Sequence, residues 1–518
     1  MRAVSLGATA ALLLSAGVCL AAPATTQGAL VASADDSEDA PRLWTQRPRP
    51  RGLSYGGRVF STVAPDLRME GDYEDRFAWR TGVDFRVKYR FADSAYFRVG
   101  TRFRYELRVG DRTEADVWLD PGEAYLQFRK GRFSARLGRV LLSWGRNPLL
   151  SPLGILNPLD LQGALASAGE DSPRIPVLGA RLKLGLHPLA IEAVYLPFFQ
   201  PTRFSLYGRD FSALRPGLLE GLLSGSVPGT GIGVADDLIR QGAQRLVDIL
   251  TELDPYARDG LQSYLVSDLP EEFPWHGDLG LRLGLTGMGV EGDLVVLWHI
   301  LDRPEFRIHE ALRRPLLERR LPDTGEWTRL TNPGAEPVST VYHRSLMVGG
   351  DVSLAKGGFV VTAEGAVHTK AIYYSKSLES YLSPRVHYAA AVRYTFGTVF
   401  AIDAEFAHDI ILEPVEDPLL QKPHDVRLAL LGTLRLFRDK LQILVSGTYN
   451  FAQRDLYLQP QVTIEADDRV SLRFGVAIFE GFRNDPEPNL DSLLAYQGGA
   501  FGLFRGNDYA YGTLTLRF

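Results

Sequence analysis

The side chains of this 518-residue chain that could do chemistry are guanidiniums and carboxylates set out with a spacing of two. In residues 77–91, which read FAWRTGVDFRVKYRF, Phe77, Trp79, Val83, Phe85, Val87, Tyr89 and Phe91 alternate with Arg80, Asp84, Arg86, Lys88 and Arg90. The next stretch repeats the pattern, with Phe97, Val99, Phe103, Tyr105, Leu107 and Val109 alternating with Arg98, Arg102, Arg104, Glu106 and Arg108. Successive side chains of an extended chain point to opposite faces, so these charges share one face. Arg136 and Arg181 extend the basic set, and later segments contribute acid through Glu291, Asp293, Glu364, Asp403 and Glu405. A polar wall that is basic on one side and acidic on the other sets up a transverse field that selects polar or charged solutes. The same charges could equally pair with one another and fill an interior.

Covalent chemistry finds no foothold. The chain contains no His-Glu-x-x-His, no cysteine cluster, no Gly-x-Ser-x-Gly and no phosphate loop, and its nine histidines are scattered. His299, His368 and His387 fit a polar wall better than a ligand set. No catalytic residue, metal site or cofactor is expected. With 57 basic against 62 acidic residues and a net charge of -5, no nucleic-acid partner is expected either.

The elements that must carry these faces are long strands. Soluble strands average five or six residues, whereas these alternating runs pass ten, and a tilted strand needs about 9 to 11 to cross a bilayer. From residue 53 onward about eighteen such segments follow one another. The fold class expected is all-β: a transmembrane antiparallel β-barrel of about 18 strands (16 to 18) with helical extracellular loops. Tight turns are centred on Asp93, Lys130, His187-Pro188, Met288, Gly357, Gly397, Asp439 and Asp467. Longer connections, at 141–175, 198–276 and 301–339, fall between them, as expected of periplasmic turns and extracellular loops. A mean hydropathy of -0.07 excludes a bundle of membrane helices but suits a wall that is apolar outside and charged inside.

Ahead of the barrel, residues 1–22 read as a signal peptide for Sec-type export and 23–52 as a flexible periplasmic tail. The only cysteine, Cys19, falls within or beside the signal, so the exported chain is expected to lack thiols. Localisation in the outer membrane of a Gram-negative bacterium follows. Outer-membrane lipid and lipopolysaccharide are the expected surroundings. The final strand, with Leu514, Leu516 and Phe518 on one face, resembles the signal read by the barrel-assembly machinery.

Two loops have patterns of their own. Within 198–276, residues 235–253 place Leu238, Ile239, Leu246, Val247, Ile249, Leu250 and Leu253 on one helical stripe, so a helical lid or plug is expected. Residues 304–321 carry Arg307, Arg313, Arg314, Arg319 and Arg320, which suit either a solvated helix face or lipopolysaccharide phosphates.

Between Gly138-Arg139 and Arg174-Ile175-Pro176 the chain contains Trp144-Gly145 and Asn157-Pro158-Leu159-Asp160. Read from the residues alone, a strand ends in Trp-Gly at the outer interface, a rigid Asn-Pro turn follows, and a return strand starts after Pro176. Over about 45 residues the segment resembles an uncharacterised proteobacterial family of outer-membrane barrels, a domain of unknown function often encoded beside exporters of the resistance–nodulation–division type. That resemblance implies movement of lipids, steroids or other hydrophobic compounds, no catalysis, and a periplasmic or inner-membrane exporter as partner. It also implies that Trp144, Gly145, Asn157, Pro158, Asp160 and Arg174 shape a loop folded into the lumen, unless the motif only staples a loop to the wall. Three functions stay open: a channel for hydrophobic or amphipathic small molecules, a general or anion-leaning porin, and a surface-exposed binding or adhesion barrel.

Overall fold

The computed structural model describes residues 51–67, 75–110, 113–160, 174–203, 277–287, 289–318, 320, 323–331, 338–483 and 494–518. The proposed signal peptide and nearly all of the proposed tail lie outside these residues, as does the 198–276 connection from 204 to 276 with its helical stripe.

Nine strands come first: β1 (Gly52–Pro65), β2 (Asp75–Ala92), β3 (Ala95–Gly110), β4 (Thr113–Lys130), β5 (Phe133–Val140), β6 (Val177–Leu186), β7 (Leu189–Leu196), β8 (Asp278–Gly287) and β9 (Val290–Ile300). A short ribbon of β10 (Glu305–Ile308) and β11 (Val338–Val341) follows, with helices α1 (Glu310–Glu318) and α2 (Thr324–Thr331) between its strands. Nine more strands complete the wall: β12 (Arg344–Lys356), β13 (Phe359–Tyr374), β14 (Ser380–Phe396), β15 (Phe400–Ile411), β16 (His424–Leu436), β17 (Leu441–Asn450), β18 (Asp455–Glu465), β19 (Val470–Gly481) and β20 (Tyr509–Arg517). Helix α3 (Ala500–Leu503) precedes the last strand. The eighteen long strands form one antiparallel sheet in which each pairs with its neighbours along the chain, β9 pairing with β12 across the excluded ribbon.

The sheet closes on itself through β1 and β20, in a register running from Arg58 opposite Arg517 to Val63 opposite Gly512. Phe518 extends the seam: the backbone N–H of Gly57 donates to its carbonyl at 3.0 Å, and its ring stacks on Phe85 with centroids 6.5 Å apart. Closure matters because each unpaired backbone group facing hydrocarbon costs several kcal/mol, and a closed sheet has no edge.

Burial is inverted relative to a soluble protein. Phe85, Val296, Phe406, Leu430 and Val445 are exposed, while Arg80, Asp84, Glu364, Glu405, Ser446 and Gln461 are buried. The apolar face of each strand is therefore the outside and the polar face the inside, as in a barrel set in lipid.

All eight expected tight turns join strands at one end through two to four residues. The opposite end is less uniform than its sequence implies. The connections at 141–176, 197–277 and 301–343 are long, but β3 and β4 are joined by two residues and β17 and β18 by four. Strands β2 to β4 run to 18, 16 and 18 residues, so their surplus length continues the wall where a loop was expected.

Candidate functional site

All ten basic candidates (Arg80, Arg86, Lys88, Arg90, Arg98, Arg102, Arg104, Arg108, Arg136 and Arg181) fall on the inward register of β2, β3, β5 and β6. Towards the long-loop end they are paired with acids. Arg80 meets Glu106 at 2.8 Å, Arg108 meets Asp116, and Arg58 and Arg102 grip Asp84 at 2.7 and 2.8 Å. Nearer the short turns, Arg136 donates to Gln127 at 2.5 Å and Arg181 reaches Glu192 at 2.9 Å. Arg86 and Arg90 of β2 and Lys183 of β6 have no carboxylate within ion-pair distance among the described residues, and Arg86 is open to water. Arg90 lies 5.2 Å from the centroid of the Tyr96 ring.

The acidic candidates face them from the opposite wall, where they hold a loop. Beyond β5 the chain turns into the lumen, and the sequence reading of Trp144 is corrected by its position. The strand ends at Val140, and Trp144 is 1% exposed inside the barrel instead of sitting at the outer interface. Its indole N–H donates to Glu192 at 2.9 Å, a carboxylate that the apolar exterior cannot offer. The ring lies so close to Gly280 of β8 that a Cβ there would collide with it.

Gly145 then takes φ +87°, which aims successive amides at the wall, and a Cβ at this position would run into Ser151 and Glu364. The amides of Arg146 and Asn147 and the hydroxyl of Ser151 all donate to Glu364, the latter two at 2.6 Å. Those of Leu149 and Leu150 donate to Glu405 at 3.1 and 2.8 Å. The Arg146 guanidinium spans three carboxylates: Glu291 at 2.5 Å, Asp293 at 2.7 Å and Asp351. Burial works against this cation, but the three acids outweigh it and raise the Arg146 pKa above the usual arginine value. Asp293 also binds Arg282 at 2.6 Å, and Asp403 binds Arg393 at 2.6 Å. Apart from Glu291, the second residue of β9, these wall acids lie four to six residues in from the short turns, so the loop crosses at mid-height of the barrel.

Asn157 fastens the loop base, accepting from the Leu142 amide at 2.7 Å and donating to the Ile175 carbonyl at 2.7 Å. The Pro158 carbonyl accepts from the Ile175 amide at 2.8 Å. Asp160 lies 3.7 Å from Arg203, and Arg174 is 3.5 Å from the Ser143 hydroxyl. Asn157→Ala removes both of its buried side-chain bonds and a weaker one to the Val140 carbonyl at 3.4 Å, and the orphaned groups cost about 2 kcal/mol or more. The barrel should keep its strands while protease sites in 141–160 become accessible, as limited proteolysis of the folded protein would read.

A second inward segment has no precursor in the sequence reading. Residues 494–508 fold against the inner face, where Phe501 stacks on Tyr457 with centroids 5.6 Å apart and Phe504 meets Phe479 edge-on. Its signal is the small-and-aromatic run from Gly498 to Phe504, too short to show a helical stripe.

Four of the five arginines expected in the 304–321 loop are engaged with acids, Arg307 with Glu305, Arg313 with Glu379, Arg314 with Glu318 and Arg320 with Glu326, and Arg319 lies outside the described residues. His299, His368 and His387 are buried on the inner face. Among the described residues no group of three or more His, Cys, Asp or Glu comes together to hold a metal ion.

No family model and no curated protein matches the chain. Among solved structures it is similar to OccAB4 of Acinetobacter baumannii, at 9% identity and TM-score 0.45, covering 91% of this chain and 99% of that one. OccK5 (OpdH) of Pseudomonas aeruginosa gives 9% and 0.43, with 90% and 97% covered. OmpF of Salmonella typhi, in complex with daunomycin, gives 8% and 0.37, with 90% and 98% covered. Likeness of this degree carries no argument about what the chain does.

Proposed function

We propose that this protein is a water-filled channel in the outer membrane of a Gram-negative bacterium, passing small polar solutes with a lean toward anions. The observation that carries the reading is an imbalance towards the short-turn end of the lumen. The acids of the β7 to β15 wall each have a donor, mostly from the inward loop, whereas Arg86 and Arg90 of β2, across the lumen, and Lys183 of β6, beside Glu192, have no carboxylate partner among the described residues. Unneutralised cations in a confined aqueous path attract anions and repel cations.

The hydrophobic-solute reading, with its exporter partner, rests on the family resemblance and on the stripe in 235–253. The described lumen supports it less. Apolar inner residues of the wall such as Leu297 and Met347 are packed against Leu142, Trp144 and Leu153 of the inward loop, which buries them. No residue of this reading forms or breaks a covalent bond, so the protein is proposed to be a channel and not an enzyme.

Liposome swelling tests the proposal with glucose and glucuronate, solutes of matched size. Faster entry of glucuronate supports an anion-leaning channel. Swelling with neither solute would overturn it.

A further inference from the structure

A cavity of about 60 Å³ lies at the long-loop end, between the 494–508 segment and the inner face of β14 to β18. That is room for roughly four water molecules, or for a small organic solute. Its floor includes Arg385 and Arg427, both spent on Asp409, the first at 2.6 Å. Asp425 also lines it, one oxygen 3.5 Å from Arg427 and the other buried without a hydrogen-bond partner, and two further charges have no ion-pair partner among the described residues. Asp455, at the start of β18, is 1% exposed. One of its oxygens accepts from the Phe501 amide at 3.0 Å, while the other is buried without a hydrogen-bond partner, and the residue is part of the cavity lining. Lys422, from the connection between β15 and β16, reaches the same cavity half-buried and makes no hydrogen bond or ion pair. Burial, and then the neighbouring Arg483 and Lys376, push its pKa down, so nothing nearby neutralises it.

A buried carboxylate oxygen without a donor is costly to keep, and so is a desolvated ammonium without an acceptor. The two do not satisfy each other, and Ile411, Leu420 and Phe501 supply apolar wall to the same cavity. The missing complement is a molecule that is cationic at one end, anionic at the other and small and apolar between.

We propose that this cavity binds a small zwitterion of the α-amino-acid kind, its ammonium on Asp455 and its carboxylate on Lys422. Binding here does not depend on the passage reading, since a barrel that conducts nothing could still hold such a ligand.

Titration calorimetry on the detergent-folded barrel tests it with three probes. L-Alanine carries both charges, ethylamine lacks the carboxylate and propionate lacks the ammonium. L-Alanine should bind roughly tenfold or more tighter than either analogue, because each leaves one buried charge unpaired. Asp455→Asn and Lys422→Gln should each weaken alanine by a similar factor, and Lys422→Gln should leave ethylamine unchanged. Heat-modifiable gel mobility reports whether each variant keeps its barrel, and Lys422→Gln alters only a loop side chain. The proposal is overturned if alanine does not bind, if it binds no tighter than both analogues, or if intact Lys422→Gln barrel binds it like the parent.

Discussion

Arg146→Ala is expected to loosen the inward loop without unfolding the barrel, widening the path at mid-height. The substitution removes the one cation that spans Glu291, Asp293 and Asp351. Asp293 retains Arg282, but Asp351 is left in a partly buried site with no cation of its own. Breaking a buried pair by removing one partner costs about 3–5 kcal/mol, and water access around Arg146 reduces this to about 2. The amides of 145–150 should then exchange roughly thirty-fold faster if they open locally. Single-channel conductance should rise together with open-channel noise, because Glu364, Glu405 and Trp144 still tether the loop ends. Unchanged exchange in 145–150 would mean that the three-acid clasp does not hold the loop.

Reversing the unpaired cations should reverse the selectivity. Arg86→Glu combined with Lys183→Glu touches no hydrogen bond or ion pair, so folding should be little affected. A unit charge about 7 Å from a permeating ion contributes about 0.6 kcal/mol in water. Exchanging two positive charges for two negative ones therefore disfavours an anion by about 2 kcal/mol and favours a cation by as much, shifting the anion–cation balance by about 5 kcal/mol unscreened. Screening at 0.1 M salt leaves about half of that, roughly fiftyfold in permeability ratio, and the effect should fade towards 1 M. A ratio that does not move would place the selective charges elsewhere, with the paired arginines further up the wall as the next to vary.

Much of the barrel was legible because a strand exposes its faces with period two. Phe85 outside and Arg86 inside follow from that rule alone, and so do all eight tight turns at one end. What a face touches does not follow from it. Glu364 and Glu405 read as lumen acids, yet their partners lie 213 to 256 residues away along the chain, a separation no local pattern encodes. Read from the residues alone, Trp144 was misplaced at the outer interface because tryptophan is common there, whereas its indole N–H found Glu192 inside, in the inward loop that the resemblance implied. The inward 494–508 segment stayed hidden for another reason. Its contacts run through Phe501 and Phe504 onto aromatic rings of three strands, and only the closed barrel brings those rings together.

The central claim, an aqueous lumen biased by unpaired cations, is tested most directly by the reversal potential of the purified protein in a planar bilayer under a tenfold potassium chloride gradient. A conducting channel whose reversal potential has the sign of chloride preference is the expected result. Absence of conductance, or a potential of the opposite sign, would contradict it.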